Sequence, residues 1–219
     1  MVTAQPSKPA ANALRGEPRR LASVLFPLRL QLPDECELTD ELLLELGALN
    51  EVWRIETDAD GGLLIMPPAG PLSSAQSGRI FSQTLAWSDA GAFGVVVESS
   101  ATFMLPNGER RMPDVAWISD ERLANIADDD RIIWRVCPDF VVEVRSASDR
   151  LQPLQEKLEM WVSQGARLGW LVDPREQTVW VYRPDQEPQQ IERPLSLAAE
   201  AIADDLTIDF SRVWPATER

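Results

Sequence analysis

PDFVVEVRSASDRLQPLQEKLEMWV, from Pro138 to Val162, reads as a buried strand, a Ser/Asp turn and an amphipathic helix. Phe140, Val141, Val142 and Val144 form an almost continuous aromatic and β-branched run, as expected of a strand covered on both faces. Glu143 interrupts that run. A carboxylate buried in such a strand is costly unless a partner or a metal compensates its charge. In the helix, Leu151, Leu154, Leu158, Trp161 and Val162 share one face at roughly 100° per residue. Gln152, Gln155, Glu156 and Glu159 lie away from that face. Lys157 flanks the apolar stripe, at a position from which an ammonium could reach Glu143. The chain has only two lysines against nineteen arginines, and the other is Lys8 in the N-terminal segment. The same spacing also suits a lysine that lays its stem along apolar surface and keeps its charge in water.

Working outward, residues 1 to about 20 are rich in Pro, Ala, Gly and Arg without periodicity, and are expected to be a disordered arm. Thr39-Asp40-Glu41 is a helix start, with a capping hydroxyl and two anions favoured by the dipole, and the helix is expected to end near Gly47. WRIET and LLIMP flank DADGG, which predicts a hairpin over Val52 to Pro67. A second helix follows, about Ser73 to Trp87, with Ile80, Phe81, Thr84 and Leu85 inward. AFGVVVESSATF reads as one strand from Ala92 to Phe103, the Pro106-Asn107-Gly108 turn follows, and Met112 to Ser119 is the returning strand. Residues 120 to 130 read as a solvated acidic loop. GWLVDP is a further buried strand and TVWVYRP its antiparallel neighbour. The last thirty or so residues lack a strong pattern and read as a docked tail.

From Ser73 the order is therefore helix, strand, strand, strand, helix, strand. A helix joining two parallel strands makes this an α/β fold, a central mixed sheet flanked by helices, with an N-terminal helix and hairpin added. The expected organisation is one domain over residues 21–219.

Composition narrows the chemistry. The 219 residues are long enough to bury a real core. No apolar run approaches the roughly 20 residues that span a bilayer, and the start lacks the apolar centre of a signal peptide. Two cysteines, Cys36 and Cys137, are too few for a disulfide framework and suggest a reducing, cytoplasmic setting. The formal charge of −14 argues against a broad nucleic-acid footprint, though not against a locally basic groove. With no histidine, imidazole-based metal sites and Ser-His-Asp or Cys-His catalysis are excluded. Any metal has to be a hard, oxygen-ligated cation such as Mg²⁺ or Mn²⁺.

Pro113-Asp114 opens one strand and Glu143 lies near the end of the next, so two carboxylates can face one cleft if those strands are neighbours. Two carboxylates with a backbone carbonyl, here Val144, suit Mg²⁺, which keeps several waters. Such an ion polarises a phosphoryl oxygen and acidifies the attacking water, while a nearby cation stabilises the charge on phosphorus. Asp114, Glu143 and Lys157 can fill these roles. Asp114 alone could equally be a residue that starts a strand.

PDVAWIS, PDFVVEVRSASDRLQPLQEKLEMWVSQG and LGWLVDP together resemble the Uma-type putative restriction endonucleases, within the PD-(D/E)xK nuclease superfamily. The resemblance spans roughly Asn50 to Arg183. It implies a restriction-endonuclease-like αβββαβ core in which Asp114 and Glu143 hold the metal. The third motif position falls on Arg145 rather than lysine, and the family resemblance moves the lysine to the following helix, at Lys157. The catalytic cation is therefore either Lys157 or Arg145, with Lys157 preferred. Lysine suits a point-charge role, and arginine cannot give up a proton. The first core helix offers Gln76 but no Glu or Asp before Asp89, which puts a second metal in doubt. Glu56 and Glu98 are substitutes, each better read as a solvent-facing strand residue.

The function expected is a metal-dependent DNA endonuclease, with Arg110, Arg111, Arg145 and Arg150 available to phosphates. The alternative is a catalytically inactive nuclease-fold module that binds nucleic acid or a protein partner. DNA and a second copy of the chain, as a homodimer, are the partners expected, and no membrane.

Overall fold

Alternation along one buried strand organises the molecule, because its two faces pack against different helices. The computed structural model describes residues 26–33, 35–36, 38–92, 94–126 and 132–214. The expected disordered arm and the end of the acidic loop lie outside them. In chain order, the N-terminal part comprises strand β1 (Leu28–Leu30), helix α1 (Asp40–Leu49), and strands β2 (Arg54–Thr57) and β3 (Leu63–Met66). Helix α2 (Pro71–Trp87) leads to β4 (Val95–Glu98), β5 (Phe103–Met104), β6 (Arg110–Arg111) and β7 (Val115–Ile118), then to a short helix α3 (Asp120–Leu123). Next come β8 (Phe140–Val144), helix α4 (Leu151–Ser163), β9 (Leu168–Asp173) and β10 (Thr178–Tyr182). The chain closes with β11 (Gln189–Glu192), β12 (Ser196–Ala198) and β13 (Thr207–Asp209).

The main sheet has six strands in the order β11-β10-β9-β8-β7-β4. Within it only β8 and β9 are parallel, and α4 is the crossover between them. The sequence α2, β4, β7, β8, α4, β9 is the expected αβββαβ core. Thr39 caps α1 by accepting from the Leu42 N–H at 3.3 Å, and the DADGG turn joins β2 to β3. β2, β3 and β1 form a separate three-stranded sheet.

Phe140, Val142 and Val144 face α2 in a cluster with Ile80, Trp170 and Val172. Val141 faces the other way, toward Trp161 of α4, with Ala116 and Ile118 beside it. Glu143 shares the face of Val141 and therefore points beneath α4. Gly169 of β9 lets that helix come down onto the sheet. A Cβ there would lie 2.7 Å from Leu158 Cδ1 and 3.6 Å from Val162 Cγ2. Gly169→Val is expected to cost about 1–3 kcal/mol by overpacking, read as a lower denaturant midpoint. An unchanged midpoint would show that α4 moves aside freely.

Three expectations need correction. AFGVVVESSATF is not one strand: β4 ends at Glu98, and a turn closed by Ala101 N–H to Glu98 O leads to β5, which pairs with β6 in its own ladder. The acidic stretch begins with α3, capped by the Ser119 side chain, because Ser119-Asp120-Glu121 supplies a cap and dipole-favoured anions. The C-terminal segment is more than a tail. Leu206, Ile208, Phe210 and Val213 are fully buried in the α2-side cluster, where β12 and β13 hold them. Short strands with few apolar residues hide from periodicity because each offers too few repeats to read.

Candidate active site

Asp114 enters the site through strand register. β7 and β8 pair Val115 with Val142 and Ala116 with Val141, so one further step sets Asp114 opposite Glu143 on the face covered by α4. Asp114 Oδ2 accepts from the Val144 N–H at 2.8 Å, and Oδ1 accepts from Arg54 Nη1 at 2.9 Å. Glu143 is 2% exposed. Its Oε1 accepts from the indole N–H of Trp161 at 3.0 Å and lies 2.9 Å from Lys157 Nζ. Lys157 also donates to Glu56 Oε1 and to the Met112 carbonyl, each at 2.9 Å. Asp114, Glu143, Val144 and Lys157 line one cavity of about 580 Å³, bounded on its far side by Arg54, Glu56 and the β2–β3 hairpin.

Arg145 is elsewhere. It pairs with Asp173 at 2.6 Å and donates to the Asp149 carbonyl, so the cation on Glu143 is Lys157. Glu98 is exposed, and its carboxylate bonds Ser99 and Ser100. Glu56 departs from expectation. It is 1% exposed and bonds Lys157, Arg111 and the Met112 N–H. Its strand alternates as a half-exposed strand would, but the exposed-looking face is covered by β6 and the segment leading to Asp114. Arg54 and the Trp161 indole are further participants that spacing alone did not single out.

The electrostatics divide the two buried glutamates. Burial pushes the Glu143 carboxyl up to about 7, with Asp114 and Glu56 adding to that effect against Lys157. Burial also opposes ionisation of Glu56, but Lys157, Arg111 and Arg54 outweigh it and hold that carboxyl at about 2. The cavity as a whole is acidic, lined by eight carboxylate side chains against four cationic ones. Of the arginines expected to meet phosphates, Arg110 pairs with Asp40, Arg111 with Glu109 and Glu56, and Arg145 with Asp173. Arg150 lines the cavity.

The residues present fit a small, hard dication. Asp114 and Glu143 face each other, and the Val144 peptide lies against Asp114. The Trp161 hydrogen bond and the Lys157 ion pair of Glu143 both fall on Oε1. A carboxyl held up at about 7 is one whose ionised form an added positive charge would favour. Among the described residues no group of three or more acidic or cysteine side chains is placed to hold an ion by itself. A carbonyl and waters would have to complete the shell, as is usual for Mg²⁺.

The mixed αβββαβ core, with Asp114 immediately before β7 and Glu143 on the neighbouring β8, is of the restriction-endonuclease-like class. The chain belongs to the Uma2 family, described as putative restriction endonuclease, whose model matches residues 40–211. Among solved structures it is similar to a crystal structure of a putative nuclease belonging to DUF820 from Anabaena variabilis. That likeness has a TM-score of 0.64 and 21% identity, and covers 73% of this chain and 89% of the other. At that identity it shows the fold alone. A DrdV–DNA complex matches at a TM-score of 0.31 and 11% identity, over 55% of this chain and 12% of that one, too distant to carry an argument. No curated protein matches. Among the described residues no helix is long and apolar enough to cross a membrane.

Proposed function

We propose that this protein is a metal-dependent endonuclease that hydrolyses phosphodiester bonds in DNA. The observation that carries the reading is the buried Lys157–Glu143 pair set opposite Asp114 in one open cavity. Asp114, Glu143 and the Val144 carbonyl would hold Mg²⁺ or Mn²⁺, whose chemistry when bound is polarisation of a phosphoryl oxygen and acidification of a water. Lys157 keeps a positive charge at the cavity and stabilises the anion that develops on the transferring phosphoryl group. The Trp161 indole fixes Glu143 through Oε1, and Arg54 fixes Asp114 through Oδ1. Because the cavity lining carries an excess of acid, a polyanion approaches it favourably only once positive charge has been added.

The test is cleavage of plasmid DNA by purified protein in Mg²⁺ or Mn²⁺, expected to stop in a chelator and to resume when metal is restored. Absence of cutting with every divalent cation tried would move the assignment to a nuclease-fold binding module. One observation favours that second reading: three of the four arginines expected at the phosphates are already neutralised by Asp40, Glu109, Glu56 and Asp173.

A further inference from the structure

We propose that Glu56, carried on β2 outside the six-stranded sheet, is the residue that positions Lys157 at Glu143, so that the N-terminal hairpin completes the site. Its catalytic consequence rests on the nuclease reading above.

Lys157 donates to Glu56 Oε1 and to the Met112 carbonyl, each at 2.9 Å, and forms an ion pair with Glu143 Oε1, also at 2.9 Å. Each comes from a different part of the chain. Of the two carboxylates, Glu143 is the one opposite Asp114 and the one suited to a dication. A dication and an ammonium sharing that carboxylate repel each other. A lysine held by Glu143 alone would therefore be pushed off as the ion arrived. Glu56 supplies a second anion that is not opposite Asp114. Its Oε1 is engaged by Lys157 and the Met112 N–H, and its Oε2 by Arg111 Nη1 at 3.2 Å. Glu56 answers two cations and a peptide N–H and does not lie opposite Asp114, which suits it to holding the lysine. The depressed pKa of Glu56 supports this, since the anchor stays charged at every ordinary working pH.

The bland account is that Glu56 only neutralises Arg111 and docks the hairpin. Two measurements separate the accounts, and one does not need cleavage. Because Lys8 and Lys157 are the only lysines, ¹⁵N-lysine labelling gives two ammonium environments. Lys157, hydrogen-bonded to Glu56 and Met112 and ion-paired with Glu143, is expected to show a slowly exchanging ammonium resonance, lost in Glu56→Gln while the backbone spectrum remains that of a folded protein. Arg111→Gln, which removes the cation on the Oε2 of Glu56, is expected to keep that resonance. Retention of the resonance in Glu56→Gln, or its equal loss in Arg111→Gln, would overturn the proposal. Should Glu56→Gln not fold, Glu56→Asp keeps the charge but draws it back by one methylene. A weakened Lys157 resonance then supports the claim, and an unchanged one counts against it.

In cleavage, Glu56→Gln is expected to lower kcat about 10–100-fold, the range for partners that orient a site residue, with KM for DNA little changed. On a Lys157→Ala background it should cost nothing further, because it acts through Lys157. Additive losses, or an effect on KM alone, would assign Glu56 a separate role. If the wild type cuts no DNA, the nuclease reading fails while the Lys157 resonance still decides the positioning claim.

Discussion

Asp114→Asn and Glu143→Gln are each expected to lower DNA cleavage in Mg²⁺ by about 10³-fold or more, the scale seen when one member of a group acting as a unit is removed. Both amides keep the size of the side chain they replace. The Asp114→Asn amide retains an oxygen for the Val144 N–H, and the Glu143→Gln amide retains one for the Trp161 indole. What each loses is the negative charge, and with only two carboxylates facing the proposed metal position there is none to spare. Lys157→Ala removes a stabilising charge but no ligand, so a smaller loss of about 10²–10³-fold is expected. Single-turnover cleavage checks the ranking. Equal cutting by wild type and the Asp114→Asn preparation would identify a contaminating nuclease and remove Asp114 from the mechanism.

The second large effect concerns stability and pH. Folded Glu143 holds its proton up to about 7, whereas an exposed glutamic acid releases it near 4.5. Between those values the folded state binds more protons than the unfolded state, so stability falls as pH rises through the window. The loss is complete above pH 7 and amounts to about 3 kcal/mol at most, from the size of the shift. Glu56 adds nothing above about pH 5.5, where its carboxyl is ionised in both states, and below that it acts in both wild type and Glu143→Gln. Glu143→Gln has no such proton to lose. The difference in denaturation free energy between wild type and this variant is therefore expected to shift in favour of the variant from pH 5 to pH 8. Mg²⁺ at pH 8 should stabilise the wild type, since an ion that binds only the folded state shifts the equilibrium toward it, and should leave the variant unmoved. A wild-type-minus-variant difference that is flat in pH would show that Glu143 ionises like an exposed glutamic acid.

The unit from Pro138 to Val162 was legible because both its signals are local. Near-continuous β-branched residues mark a strand buried on both faces, and a 3.6-residue stripe marks the helix that covers one of them. Glu143 stood out for the same reason, as a charge within a run that has to be dry. Asp114 and Lys157 followed from the resemblance and from residue chemistry, and the structure brings both to the cavity that contains Glu143. The absence of histidine excluded whole classes of catalysis without reference to any fold.

Glu56 and Arg54 show where that legibility stopped. Glu56 sits 101 residues from Lys157 along the chain, and Arg54 sits 60 from Asp114. Alternation along a hairpin tells which residues share a face, but whether that face meets water or another layer depends on what docks there. Arg110, Arg111 and Arg145 follow the same logic, since an arginine reads as free until the fold sets a carboxylate beside it. The sequence by itself determined the αβββαβ order, the buried strand and its anomalous carboxylate, because hydrophobic periodicity is a property of neighbouring residues. Only the tertiary structure decided which cations reach those carboxylates, because ion pairing and burial depend on distances between segments that no local pattern encodes.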